Sequence, residues 1–166
     1  LDRWENEIFP KVPVAKLYLY TGYNTYGSFG LKHENQMKPI IDRARNLERK
    51  GVIIKKPIER NLLINKVLES RLFLYQGSKD ETFCMSVAEA QVLGVPAVVC
   101  NLGCLNERVQ NEKTGYVSED NTNFSKHAIK LLTDDNCWKA INKNLKDSKK
   151  YFTWNAVAMQ WKEIIV

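Results

Sequence analysis

The sequence predicts an α/β domain built on a parallel sheet with crossover helices. Three observations predict it. Short apolar runs of strand length alternate with longer segments of helical pattern. Glycine and proline stand where those helices must stop. The chain has 166 residues with 44% hydrophobic content, enough for one domain with a real core.

The elements follow in order. Strand-like runs lie at Ala15–Tyr20, Val52–Ile54, Leu72–Tyr75 and Ala97–Cys100, with a weaker one at Gly115–Ser118. Helical stretches separate them at about Glu34–Lys50, Arg60–Glu69, Thr82–Leu93, Leu105–Gln110 and Asn123–Leu132. Gly94 occupies a helix C-cap position, and Pro96 is a stop signal two residues later. Gly51 closes the earlier helix in the same way, after Arg49 and Lys50, whose charges suit a helix C-terminus. Such alternation implies parallel strands joined by crossover helices, hence a doubly wound, Rossmann-like sheet over residues 1–133.

Residues 134–166 turn helical. Asn136 to Lys150 is rich in lysine, with Trp138, Ile141 and Leu145 spaced to face one side. Tyr151 to Val166 sets Phe152, Trp154, Val157, Ala158, Trp161, Ile164 and Ile165 along a helical stripe, for which core packing is the expectation. No internal repeat, low-complexity run or long linker divides the chain.

The most informative stretch is the turn between the third strand and the next helix. Glu81 falls at the carboxyl end of a buried strand, where ligands bind in open α/β sheets. Glu89 lies eight residues later, and at 3.6 residues per turn the helix brings it back toward the same crevice. Backbone N–H groups from Phe83 through Cys84 and Met85 to Ser86 are the free donors of the helix start and suit a phosphate. A plainer reading competes: Ser86-x-x-Glu89 also fits a capping box, and Glu81 could be a solvated loop acid beside Lys79 and Asp80. Spacing alone leaves both open.

The formal charge is +6, from 25 Lys and Arg against 19 Asp and Glu. No nucleic-acid module signature accompanies it, and the dense run Lys139–Lys150 reads as a solvated helix face, so no nucleic-acid partner is expected. No stretch approaches the ~20 apolar residues of a membrane span. Cys84, Cys100, Cys104 and Cys137 have no paired spacing, and Cys100-x3-Cys104 has no nearby histidine. A metal site is not expected, and reduced thiols suit a cytoplasmic location. Cys84 would sit at the phosphate-binding turn, where a helix start can lower a thiol pKa, although a small buried hydrophobe is the expected role.

From Leu72 to Asp120 the chain resembles the donor half of retaining glycosyltransferases of the GT-B fold, family 4 (glycosyl transferases group 1). The Glu-x7-Glu motif of that family is matched by Glu81 and Glu89. Glu89-Ala90, Gly94-Val95-Pro96, Ala97–Cys100, the loop Asn101–Glu107 and Thr114-Gly-Tyr-Val117 match its later motifs in the same order. The wording Glu81-Thr-Phe-Cys84 and the segment from Pro13 to Gly22 are similar to a bacterial subgroup.

The resemblance implies a C-terminal donor-binding domain that transfers a sugar from a nucleotide-sugar donor to a glycan or lipid-linked acceptor, with retention at the anomeric carbon. It implies no cofactor and no obligatory metal. Glu81 would contact the sugar near the reacting centre, Glu89 the ribose hydroxyls, and Phe83, Cys84, Met85 and Ser86 the sugar and diphosphate through backbone N–H groups. Lys56, Pro57 and Ile58 would line the base, and Gly22 would let a loop approach the donor, although a turn glycine is an equal account. Lys56-Pro57 stands where the family often has glycine, and Gln76-Gly77 where it commonly has proline, which puts base selectivity in doubt.

The family also has an upstream acceptor domain, and a first donor-domain strand followed by diphosphate-binding cations. Leu1–Trp4 looks like the helix after that strand, so these residues alone are expected not to catalyse transfer. A central strand would be absent, favouring either a closed-up sheet or a dimer. Many related enzymes act on membrane-linked acceptors, which leaves open peripheral contact with the inner face of the membrane. A sugar-nucleotide epimerase or a phosphorylase of the same architecture, and a non-catalytic sugar-nucleotide-binding module, are the alternatives.

Overall fold

The computed structural model describes residues 1–22, 27–119, 121–148 and 154–165, with the side chains of Phe29, Asn121 and Thr122 left aside. The chain opens with a π-helical turn, Trp4–Ile8. It continues through β1 (Leu17–Tyr20), α1 (Gly27–Lys32), α2 (Glu34–Asn46), a 3₁₀ turn (Glu48–Lys50), β2 (Val52–Lys55) and α3 (Arg60–Leu68). Then follow β3 (Phe73–Tyr75), α4 (Met85–Val92), β4 (Ala97–Cys100), α5 (Leu105–Arg108), β5 (Gly115–Ser118), α6 (Asn121–Thr133), α7 (Asp135–Asp147) and α8 (Trp154–Ile165). Every described strand pair is parallel, as the alternation of strands and helices predicts.

The strands form two blocks, β1-β2 and β3-β4-β5. In the larger block β4 is central, and all four of its residues are buried. Period-two alternation explains why that strand is apolar throughout. Ala97 and Val99 join Cys84, Val87, Leu105, Val109 and Val117 in one layer of core. Val98 and Cys100 join Tyr116, Phe124, Leu131, Ile141 and Leu145 in the other. Helices therefore cover both faces, which is the doubly wound arrangement. A third layer, with Trp4, Ile8, Ala44, Leu47, Val52 and Ala128, fastens the opening helix and α2 to the smaller block. Within it the Trp4 indole N–H donates to the Lys50 carbonyl at 2.8 Å.

Helix ends follow local chemistry. Gly51 and Gly94 take left-handed φ of 75° and 77° where helical segments stop. Asp134 caps α7, its carboxylate accepting from the Cys137 N–H at 2.9 Å. Helix α4 starts three residues later than the pattern predicts, because Cys84 sits in the left-handed region at φ 57° and ends the preceding turn.

Two expectations are corrected. The sheet does not close up: no hydrogen-bonded pairing joins β1 to β3 among the described residues. Helix α3, which links the blocks, has no buried residue, and its Leu62 and Leu68 are exposed. The stripe of the last helix is not core: α8 buries nothing, and Trp154 is 88% and Trp161 57% exposed. Phe152 of that stripe lies outside the described residues. On α7, by contrast, Ile141 and Leu145 are buried while Lys139, Lys143 and Lys146 face solvent. That is the solvated face expected there; Lys149 and Lys150 lie outside the described residues.

Candidate functional site

Tyr75 ends β3, and residues 76–84 turn the chain into α4. The turn is tightened by the Glu81 N–H to the Ser78 carbonyl, 3.2 Å, and by the Asp80 N–H to Ser78 Oγ, 3.3 Å. At its centre Glu81 is held at three points. Its Oε2 accepts from the Tyr75 hydroxyl at 2.6 Å. Its Oε1 accepts from the Cys84 N–H at 3.1 Å, and its carbonyl from the Cys104 N–H at 3.0 Å. Gly103 makes this last approach feasible: at φ 55° a Cβ there would overlap the Glu81 carbonyl oxygen and lie 2.9 Å from that of Ser78. Glu81 is thus a half-buried carboxylate with one donor on each oxygen, and no loose surface acid.

Two acidities respond to it. The Tyr75 phenol is pushed up to about 12, mainly because its proton is bonded to Glu81, with burial adding to the effect. The Cys104 thiol is also pushed up, first by burial and then by the nearby Glu81 charge, which disfavours a thiolate there. All four cysteines are free. Cys84 is buried in the core, as a small hydrophobe would be, with Sγ 3.7 Å from Ser86 Oγ.

Of the helix-start donors, the Cys84 N–H is used by Glu81, while those of Phe83, Met85 and Ser86 meet no acceptor among the described residues. Phe83 and Met85 are exposed. The Arg108 guanidinium carbon lies 3.7 Å from the Phe83 ring centroid, and Arg108 Nε is buried without a partner. The turn thus combines open N–H groups with a cation.

Glu89 does not close a capping box. The residue before α4, Cys84, makes no side-chain cap bond, and Ser86 lies inside the helix. Glu89 Oε1 instead stands 2.7 Å from Arg60 Nη2, at the first residue of α3. That pair ties α4 to the segment Lys56, Pro57 and Ile58, which is exposed between β2 and α3. Lys56 and Ile58 line a recess of about 600 Å³ with Tyr20, Leu62, Asn65 and Lys66. A second recess, of about 510 Å³, includes Gly22, Thr21, Arg45, Glu48 and again Lys56. Glu81, Phe83 and Glu89 line neither recess. Glu81 gathers the Phe83–Ser86 turn around itself, Gly22 shares a wall with Lys56, and Arg60 links the two groups through Glu89.

Sequence reasoning missed Tyr75, Arg60 and Arg108. Tyr75 reads as an ordinary strand aromatic, and neither arginine belongs to a spacing pattern. No group of three or more His, Cys, Asp or Glu among the described residues is placed to hold a metal ion.

Comparison with known proteins bears on the fold and the family. A sucrose-phosphate synthase from Thermosynechococcus elongatus superposes with a TM-score of 0.69 at 22% identity, over 90% of this chain and 37% of that one. An Anabaena protein solved with UDP and glucose gives 0.68 at 16% identity, over 81% of this chain and 37% of that one. At such identities the likeness is one of fold, and it is the Rossmann-like α/β fold expected. In sequence, N-acetyl-alpha-D-glucosaminyl L-malate synthase of Bacillus anthracis is 32% identical over 73 residues, 43% of this chain and 19% of that protein. Trehalose phosphorylase of Grifola frondosa is 29% identical over 82 residues, 48% of this chain and 11% of that protein. This chain therefore spans only a small part of the curated relatives it matches. The model of glycosyl transferases group 1 matches residues 26–148, and with that span covering most of its length the chain belongs to the glycosyl transferases group 1 family.

Proposed function

We propose that this chain is the donor-binding part of a retaining glycosyltransferase of family 4, which moves a hexosyl group from a nucleotide-sugar to a glycan or lipid-linked acceptor. The observation that carries this reading is Glu81, fixed at a strand-to-helix turn beside open N–H groups, with Glu89 on α4, the helix that this turn opens. In the reading, Glu81 faces the sugar at the reacting centre and Glu89 takes the ribose hydroxyls. Lys56, Pro57 and Ile58 border the base, and Gly22 stands at the neighbouring recess. Negative charge on the departing diphosphate is offset by the helix start and by Arg108. The reaction needs no cofactor and no obligatory metal. Solved relatives containing UDP make a uridine diphosphate sugar the first donor to try. No described helix is long and apolar enough to cross a membrane. In this reading a lipid-linked acceptor is met peripherally, at the cytoplasmic face.

The test is turnover of UDP-glucose and UDP-N-acetylglucosamine by the full-length protein. Glu81→Gln should abolish most turnover while leaving UDP affinity within about threefold, since an interaction made in the transition state lowers kcat without weakening ground-state binding. Wild-type kinetics in Glu81→Gln would remove the basis of the proposal.

A second reading is favoured by one observation, the likeness to trehalose phosphorylase. Turnover that requires orthophosphate and releases a sugar phosphate would select phosphorolysis over transfer.

A further inference from the structure

Tyr75 belongs to none of the motifs that carry the family likeness. Its ring packs against the core layer of Cys84, Val87, Ala97, Val99 and Leu105, which by itself describes a strand aromatic. Its hydroxyl does something further: it donates to Glu81 Oε2 at 2.6 Å, within the ~2.5–2.7 Å range of charge-assisted O–H···O⁻ bonds. The other two donors to Glu81 are backbone N–H groups of Cys84 and Cys104. Tyr75 is therefore the single side-chain donor to Glu81 among the described residues, and it arrives from a different element, β3.

We propose that Tyr75 is a positioning residue for the sugar-transfer reaction, its phenol locking the Glu81 carboxylate in the orientation that meets the donor sugar. The inference rests on the reading of Glu81 given above and deepens it. A glutamate has three rotatable side-chain bonds, and one oxygen bonded to Cys84 still lets the carboxylate swing. A second donor, anchored in the core through an aromatic ring, removes that freedom. Misplacement by about 1 Å can cost ~100-fold in rate, so the orientation of this group has kinetic weight. Because the phenol is pushed up to about 12, it stays protonated and remains a donor across the working pH range.

The experiment compares Tyr75→Phe, Glu81→Gln and the double variant in the full-length protein, with UDP-glucose and UDP-N-acetylglucosamine as donors and UDP release as the readout. Tyr75→Phe keeps the ring in the core. It should lower kcat on the order of tenfold, with donor KM unchanged within about twofold, a cooperative thermal transition retained and its midpoint lowered by the loss of one hydrogen bond. The double variant should be no slower than Glu81→Gln alone, because the two residues act through one carboxylate. If Glu81→Gln is impaired while Tyr75→Phe keeps its kcat, or alters only KM, the positioning role is overturned and the reading of Glu81 stands. If neither variant is impaired, both fall.

A second measurement needs neither a known donor nor a folded Tyr75→Phe protein. Carbon NMR of tyrosine labelled at Cζ should show Tyr75 still un-ionised at about pH 11 in the unaltered chain. In Glu81→Gln it should titrate clearly lower, toward the ordinary ~10, with burial keeping part of the rise. Titration near ~10 in both proteins would show that the phenol is not bonded to the carboxylate, and would overturn the proposal.

Discussion

Arg60 Nη2 and Glu89 Oε1 stand 2.7 Å apart and join the first turn of α3 to α4. The pair is largely solvated, with the Arg60 side chain 70% exposed, so it adds little to stability. Its importance is positional: it sets the acid proposed for the ribose beside the segment proposed for the base. Arg60→Ala should lower unfolding free energy by less than ~1 kcal/mol. Glu89→Gln in the full-length protein should weaken UDP binding by ~1.5–3 kcal/mol, roughly tenfold to a hundredfold, with a smaller effect on kcat. Calorimetric titration of UDP checks this, and unchanged affinity in Glu89→Gln would move Glu89 from the binding site to a purely structural ion pair.

Gly103 and Gly27 have nearly the same left-handed backbone, φ 55° and 54°, but different surroundings. A Cβ at Gly27 meets nothing within 4 Å, whereas one at Gly103 overlaps the Glu81 carbonyl. Gly27→Ala should therefore cost only the backbone term, about 1–2 kcal/mol. Gly103→Ala should cost at least about 1 kcal/mol more, and should depress turnover by shifting Glu81. Urea unfolding of the two variants gives the comparison; equal losses would show that the turn yields easily.

A charged cluster closes the opening helix onto α2. Arg43 bonds Asp2 and lies 3.3 Å from Glu5, whose other oxygen is 2.7 Å from Lys50. The Asp2 carboxyl is held below its ordinary value by the Arg43 hydrogen bond, and that of Glu5 chiefly by Lys50. A lowered folded-state pKa adds stability that is fully present above the unfolded values, ~3.9 for Asp and ~4.3 for Glu, and is lost as pH falls through the folded ones. The urea midpoint should thus hold from about pH 7 to 5 and fall toward pH 3. Asp2→Asn should shrink that fall; an unchanged acid limb in the variant would show that the cluster is fully screened.

Three of the four tryptophans should divide sharply by accessibility, with the half-buried Trp138 between them. Trp4 is 4% exposed, while Trp154 and Trp161 are 88% and 57% exposed on α8. Acrylamide should quench the emission of the last two readily and leave the Trp4 component shielded. Replacing Trp154 and Trp161 with phenylalanine should remove most of the quenchable fraction. Shielding of both in the intact protein would mean that α8 is covered by other parts of that protein.

Much of the fold was legible in the sequence because its signals are local. Apolar runs of strand length, helical periodicity between them and the stops at Gly51 and Gly94 depend on neighbours a few residues away. Backbone sterics and the two side-chain periods act at that range. The order of the motifs around Glu81, Glu89 and Gly94-Val95-Pro96 was legible for the same reason, and so was the position of Glu81 just beyond the carboxyl end of β3. The spacing of Glu89, however, suited a capping box as well as an outward carboxylate, and no local rule separates them. Tertiary structure did, by bringing Arg60 to Glu89 from α3. It likewise seated Tyr75 on Glu81, set Gly103 beneath the Glu81 carbonyl and left the stripe of α8 bare. A helical stripe states that one face is apolar, whereas burial requires a partner surface, and which surfaces meet is decided by how distant segments pack.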